Sequence, residues 1–433
     1  MFHLNAITNP LSLFALFLFI LSYVLVILEE FTHFRKSKPV LFAAGIIWAV
    51  VAFLGQHQHV SDAVNTALQH TILEFAELFL FLLVAMTYVN ALEERQVFKA
   101  LSSFLIQRQM SYQKLFWVTG LLSFFLSPFL DNLTTALIMG TIVIAVGKDK
   151  PLFVTLGCIN VVVAANAGGA FTPFGDVTTL MIWQYGTVSF FQFLAIFIPS
   201  LLSFIIPAFC MHWAIPKAKP HATIDKAQMK PGAKRIMLLF AATIITAVIF
   251  HQCLELPAML GMTTGLAYLT FLSYFLRKKE LVLAVSNPFD IFSKMEKVEW
   301  DTLLFFYGIM LSIAGLGALG YLNFVADDMY NHGNISLINT IIGIVSSVLG
   351  NIPVLYAVLT LKPILSTGQW LLVTLTTGIG GNLLSIGSAA GIALMGQAQG
   401  KYTFFGHLKW IWAIALGYFA AIFCHLWMNH ALF

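Results

Sequence analysis

Two aspartates interrupt otherwise apolar stretches of the chain, and each has amides and hydroxyls close by. The first lies in Ser127-Pro128-Phe129-Leu130-Asp131-Asn132-Leu133-Thr134-Thr135. The second follows Asn166-Ala167-Gly168-Gly169-Ala170-Phe171-Thr172-Pro173-Phe174-Gly175-Asp176, with Val177, Thr178 and Thr179 after it. Gly, Pro, Asn and Thr break a helix and leave carbonyl oxygens and helix ends exposed, a donor set that suits a small ion. Hard oxygens with net negative charge favour a hard cation. A carboxylate in a dry site needs a proton or a cation as partner. Competition between the two for the same acids would constitute an exchange cycle. Asp131 and Asp176 are therefore the expected ligands of a hard cation, and no Arg or Lys occurs in either break.

The elements that hold these breaks are membrane spans. Of 433 residues, 59% are hydrophobic and 10% charged, whereas a soluble protein carries charge on about a quarter of its positions. Mean hydropathy is +0.87. Apolar runs at 11–29, 39–55, 63–92, 152–184, 189–214, 236–253, 257–276, 301–319, 368–395 and 404–430 are long enough to span a bilayer. The first reads as a retained span, because it lacks the basic flank and cleavage site of a signal peptide. Segments 114–146 and 336–361 carry polar residues at their centres and read as re-entrant helical hairpins. Placing the N-terminus outside sends nearly every Lys and Arg to inner loops and leaves Lys362 alone outside. That distribution also accounts for the net charge of +4 without a nucleic-acid partner. The four cysteines have neither disulfide-scaffold nor metal-ligand spacing.

The breaks recur in the second half. Ser346-Ser347-Val348-Leu349-Gly350-Asn351-Ile352-Pro353 aligns with the segment around Asp131, and Gly380-Gly381-Asn382-Leu383-Leu384-Ser385-Ile386-Gly387-Ser388 with the one ending at Asp176. The expected fold is thus all-α integral membrane, with about ten spans, two re-entrant hairpins and an inverted-topology repeat of broken helices. Residues 1–61 form spans outside the repeat, for scaffold or dimer contact. The first repeat is 62–215 (hairpin 114–146, broken helix 152–184). A cytoplasmic linker and two connecting spans occupy 216–297. The second repeat is 298–433 (hairpin 336–361, broken helix 368–395). Inverted repeats hold their substrate near the midplane and allow alternating access.

These residues resemble the NhaD-type sodium/proton antiporters of the ion transporter superfamily, which also contains arsenite and divalent anion transporters. The resemblance rests on the Asp131-Asn132 and Thr172-Pro173-Phe174-Gly175-Asp176 elements. It extends to Val298-Glu299-Trp300-Asp301 and Gly378-Ile379-Gly380-Gly381-Asn382, running from about residue 62 onward. It implies exchange of Na⁺ or Li⁺ for H⁺ in a bacterial-type inner membrane or an equivalent organellar one, as a homodimer, with no cofactor beyond the transported ion. Asp131, Asn132, Thr135, Asn166, Thr172, Asp176, Asn351, Asn382 and Ser388 are the expected cation or proton site.

Plainer roles compete. Intramembrane Asn, Ser and Thr also serve as interhelical hydrogen-bond glue, and paired glycines allow close packing. Glu74 and Glu77, a turn apart on one helix face, offer either a proton route or a wetted helix end. Glu93 and Glu94 before Arg95 read as an interfacial loop, and His57 and His59 as an exposed turn. A sodium-coupled carrier of dicarboxylate-like anions could use the same breaks. An enzyme is not expected: an intramembrane aspartyl protease needs a Gly-x-Gly-Asp element, and Pro173-Phe174-Gly175 precedes Asp176 instead.

Overall fold

Capping residues set where the apolar runs become helical. Asn9 accepts from the Leu11 amide with Pro10 at the first helical position, and Asn334, Ser366 and Thr403 cap later helices in the same manner. The computed structural model describes residues 4, 6–32, 34–219, 227–284, 288–324 and 333–433, and these contain helices and no strands. Part of the expected linker, 220–226, lies outside the described residues.

In chain order the main helices are α1 (Pro10–Ile27), α2 (Ser37–His57), α3 (Ser61–Glu94), α4 (Val97–Gln107), α5 (Tyr112–Leu130), α6 (Asn132–Val146), α7 (Pro151–Gly169), α8 (Val177–Gln184) and α9 (Phe197–His212). There follow α10 (Ala233–Cys253), α11 (Ala258–Val282), α12 (Trp300–Leu319), α13 (Ile335–Leu349), α14 (Asn351–Leu361), α15 (Thr367–Gly380), α16 (Ala389–Gln397) and α17 (Ile411–Met428). Among the described residues ten helices are long and apolar enough to cross a membrane. The set differs by one from the expected spans. α5, the leading arm of the first expected hairpin, has 19 residues and qualifies, since that length reaches about 28 Å at 1.5 Å per residue. The segment 368–395 does not qualify, because its break divides it into α15 and α16 of 14 and 9 residues.

The chain forms two compact units, Met1–Phe75 with Phe116–Pro216 and Trp300–Phe433, and Ala76–Leu115 with Lys217–Glu299. In the first, α7 and α12 lie deepest, with 89% of each span buried. α2 packs along α12, where the Trp48 indole donates to the Leu311 carbonyl at 2.9 Å and the Ser37 hydroxyl donates to Asp301. Around this core α1 presents Phe14, Phe17 and Ile20 outward, as a lipid-facing helix does.

The second unit pairs α10 with α11. Thr243 donates to the Tyr88 hydroxyl at 2.9 Å, and Tyr88 donates to the Gly265 carbonyl at 2.7 Å. At the turn after Glu94, where the sequence reads as an interfacial loop, an ion cluster buries Arg95. The Arg95 side chain is 1% exposed and pairs with Glu94 and Glu280. It also donates to the Pro231 carbonyl at 3.1 Å and lies 4.4 Å from the centroid of the Phe289 ring. Lys230 and Lys294 complete the Glu94 side, and burial holds the Lys294 ammonium below the usual lysine range. Removing one partner of a buried pair leaves an uncompensated charge, at about 3–5 kcal/mol. Arg95→Ala should therefore lower the melting temperature in detergent markedly, and Arg95→Lys less so. Unchanged melting of Arg95→Ala would show that the cluster adds nothing.

Candidate functional site

All four breaks lie in the first compact unit, and their side chains meet. Between α5 and α6 the chain turns at Asp131 with φ 65° and ψ 162°, and between α13 and α14 at Gly350 with φ 81° and ψ 152°. The conformation is the same, but only glycine adopts it without strain; at a non-glycine residue it costs about 1–3 kcal/mol. The next residue in each half, Asn132 or Asn351, turns its side-chain oxygen back to accept from the following amide, at 2.9 Å from Leu133 or 3.0 Å from Ile352. That bond fixes the amide orientation and aims both NH₂ groups inward. Asn132 reaches Asp176 Oδ2 at 2.8 Å, and Asn351 reaches the same oxygen at 2.9 Å.

Asp176 itself caps α8, accepting from the Thr178 amide at 3.1 Å with extended backbone. Ser388 holds the corresponding place ahead of α16 and accepts from the Gly391 amide at 3.1 Å. The network continues through the two remaining breaks. Asn132 also donates to Asn166 Oδ1 at 3.0 Å, and Asn166 donates to Asn382 Oδ1 at 2.7 Å. One carboxylate and four carboxamides, contributed by all four breaks, thus form a continuous buried chain. The Asp176 carboxylate has neutral partners.

Close helix contacts bring the breaks to this point. Ser127 donates to the Ala165 carbonyl at 2.6 Å, and its counterpart Ser346 donates to the Thr377 carbonyl at 3.1 Å. A side chain on Gly168 would strike the Phe124 carbonyl, and one on Gly380 would strike the Gly343 carbonyl. The packing role of these glycines is therefore visible in the structure.

Of the sequence-predicted residues, Asn132, Asn166, Asp176, Asn351 and Asn382 are joined by these bonds. Asp131 is placed differently: half-buried, it accepts from the Thr134 amide and hydroxyl, both at 2.8 Å, at the start of α6. Thr172 donates to the Pro128 carbonyl at 3.4 Å, and Ser388 serves its cap. The Thr135 hydroxyl is buried without a hydrogen-bond partner among the described residues, as is that of Ser385, a residue outside the predicted set. Both add free oxygens to a donor set suited to a hard cation. Glu74 accepts from the Tyr356 hydroxyl at 3.0 Å and lies 3.2 Å from His70, away from these bonds. Glu77 follows one turn later on α3 and is half-buried.

Sequence reasoning missed His407. Its ring is fully buried, with Nε2 at 2.8 Å from the Asn382 carbonyl and Nδ1 at 2.9 Å from the Tyr402 hydroxyl. A carbonyl only accepts, so Nε2 carries the proton and Nδ1 accepts from Tyr402. His407 thereby fixes the backbone of the break that presents Asn382. A lone histidine in an apolar run carried no signal for this; it lies 25 residues from its partner.

Apolar spans, helices broken at depth and polar groups converging from the breaks define a polytopic membrane protein of the transporter class. The sequence matches the family model described as "Citrate transporter" over residues 10–378. It is 51% identical to the Na(+)/H(+) antiporter NhaD of Alkalimonas amylolytica, covering 96% of this chain and 90% of that protein. The NhaD of Vibrio cholerae is 50% identical over 97% of this chain and 92% of its own length. Sodium/proton antiporter 1 of Arabidopsis thaliana is 32% identical over 96% of this chain and 72% of its own. The chain belongs to the NhaD-type sodium/proton antiporter family.

The histidine contact is testable by itself. His407→Phe keeps the bulk and leaves the buried Asn382 carbonyl unpaired, at about 1–3 kcal/mol. The melting temperature in detergent should fall, with His407→Gln recovering part of the loss. Equal melting of His407→Phe and wild type would remove this role.

Proposed function

We propose that the protein exchanges Na⁺ or Li⁺ for H⁺ by alternating access, with cation and proton competing for Asp176. The observation that carries this reading is a buried carboxylate held by the neutral carboxamides of Asn132 and Asn351, at the head of a carboxamide chain that reaches all four breaks. In the cation-free, protonated state Asn132 and Asn351 donate to one Asp176 oxygen while the other carries the proton. An arriving cation takes the carboxylate oxygens, displaces the carboxyl proton and draws on carboxamide and hydroxyl oxygens nearby. Asn166, Asn382, Thr135, Thr172 and Ser388 belong to the same site in this proposal. Asp131, carried in a strained turn, is the second acid of the cycle.

The finer assignments follow the same reading. The two halves are repeats of inverted topology, with hairpins at 114–146 and 336–361. The matched turns at Asp131 and Gly350 support the repeat, and the Lys and Arg distribution supports its inversion. Residues 1–61 serve as scaffold or dimer contact and 216–297 connect the repeats. The protein works as a homodimer in a bacterial-type inner membrane or an organellar equivalent, N-terminus outside, with no resident cofactor. A second reading, a sodium-coupled anion carrier, has only the description of the family model, "Citrate transporter", behind it, and the antiporter relatives do not favour it. Against it stands the charge of Asp176, which repels an anion and has no Lys or Arg partner.

Purified protein in proteoliposomes with an acid lumen tests the exchange. External Na⁺ or Li⁺ should alkalinise the lumen and choline should not. Asp176→Asn should insert normally and abolish exchange; wild-type exchange by this variant would sink the assignment. Sodium-dependent uptake of labelled citrate without a pH response would establish the second reading instead.

The two acids need different substitutions. Asp131→Gly keeps the turn that Gly350 makes in the second half and removes only the carboxylate. It should melt near wild type yet lose exchange; retained exchange would reduce Asp131 to a helix cap. Asn132→Ala and Asn351→Ala remove groups that orient the carboxylate, an effect worth about 10–100-fold in ion affinity. Their apparent KM for Na⁺ should rise by that much.

A further inference from the structure

The first compact unit contains a cavity of about 340 Å³ that the buried network does not use. At about 30 Å³ per water, it has room for roughly ten, enough for a hydrated monovalent cation. Its lining combines apolar Trp48, Ala314 and Leu359 with polar Glu74, Tyr185, Tyr356 and Lys362. Glu74 is the cavity's carboxylate, 27% exposed, accepting from Tyr356 and adjoining His70.

The cavity lies at the far ends of two helices that begin at the network. α8 starts at Asp176 and finishes at Tyr185, while α14 starts at Asn351 and finishes at Lys362. Their lengths of 8 and 11 residues place it about 12–16 Å from the carboxylate. Both helices therefore turn their positive N-terminal ends to Asp176 and their negative C-terminal ends to the cavity. The cavity thus collects cations by two helix ends and one carboxylate, opposed by a single tethered ammonium. Lys362 sits there in a left-handed conformation, its Nζ 5.6 Å from the centroid of the Tyr185 ring. α14 links the two places mechanically, since it carries Asn351, bonded to Asp176, and Tyr356, bonded to Glu74.

We propose that this cavity is the ion vestibule on the Lys362 face of the membrane, in which Glu74 holds the hydrated monovalent cation between bulk water and the buried network. Lys362 limits its occupancy by offering Glu74 a competing positive charge. The proposal rests on the exchange reading for the identity of the cation.

Two measurements test it, and the first does not need exchange activity. Ala67 and Thr71, one turn apart on α3, line the cavity. Each is replaced by Cys in a background where Cys210 and Cys253, the two cysteines that are not buried, are Ser. A membrane-impermeant cationic thiol reagent should label both variants from the Lys362 face alone. Na⁺ should slow the labelling, choline should not, and adding Glu74→Gln should abolish the Na⁺ protection. No labelling of either variant, equal labelling from both faces, or protection that survives Glu74→Gln overturns the vestibule. The second measurement is kinetic. Glu74→Gln should raise the apparent KM for Na⁺ about 10-fold or more when Na⁺ is presented from the Lys362 face, the scale on which a charged cleft concentrates its counter-ion. The value from the opposite face should stay unchanged. An equal rise from both faces, or none, overturns the role of Glu74. Absence of exchange in the wild type would refute the exchange reading separately, while the labelling pattern still reports on the cavity.

Discussion

A carboxylate cannot stay inside a bilayer protein without partners, and the architecture of the first unit follows from satisfying Asp176. Asp176 is buried among apolar helices, so its donors come from the chain, and regular helix interiors have none to give. Breaks supply them. Each break frees backbone groups, which the chain satisfies with its own side chains: Asp176 and Ser388 cap the following helices, and Asn132 and Asn351 bond the next amide. The same side chains then have capacity left over for one another. The result is a polar chain from Asp176 to Asn382 in which Asn132 and Asn351 are each oriented by the next amide, and Asn166 bridges Asn132 to Asn382.

Matched geometry with unmatched charge distinguishes the two halves. The turns at Asp131 and Gly350 share a conformation, as do the caps Asp176 and Ser388. In both pairs the acid is in the first half. Glycine is the relaxed choice for such a turn, so aspartate there accepts backbone strain that the second half avoids. The backbone alone gives no reason for that choice; a carboxylate at that position does. A site with both acids in both halves would place four negative charges at the junction, too many for one monovalent cation to compensate. In the proposed exchange, the asymmetry would keep the local charge near what a small cation and protons can balance.

Much of this was legible in the residues, because breakers inside apolar runs announce themselves. Helix breaks at 131 and 170–176, and their counterparts at 350 and 381–388, follow from Gly, Pro and Asn at positions where spans should continue. The partition of labour between the acids was not legible. Asp131 and Asp176 look alike in sequence, and only the fold shows one bonded to Thr134 and the other to Asn132 and Asn351. Arg95 was hidden for a related reason. An arginine beside two glutamates reads as a wet loop, and its burial depends on Glu280 and Phe289, nearly two hundred residues away. Ser127 and Pro128 look like interruptions in the sequence and yet remain inside α5.

Proline within that helix also bears on how the site can move. Pro128 has no amide hydrogen to give the preceding turn, so the end of α5 is weakly tied to its own helix. The adjacent Ser127 bonds the Ala165 carbonyl of α7 instead, and Thr172 reaches the Pro128 carbonyl. The break at Asp131 is thus fastened to α7 and its extension more firmly than to α5. α14 is fastened at its start by Asn351 to Asp176 and at its middle by Tyr356 to Glu74. In the proposed exchange, a cation on Asp176 would weaken the hold of Asn132 and Asn351 together, because both amides share one carboxylate oxygen. One ion would then release one element from each half at once, the coupling that the proposed alternating access needs.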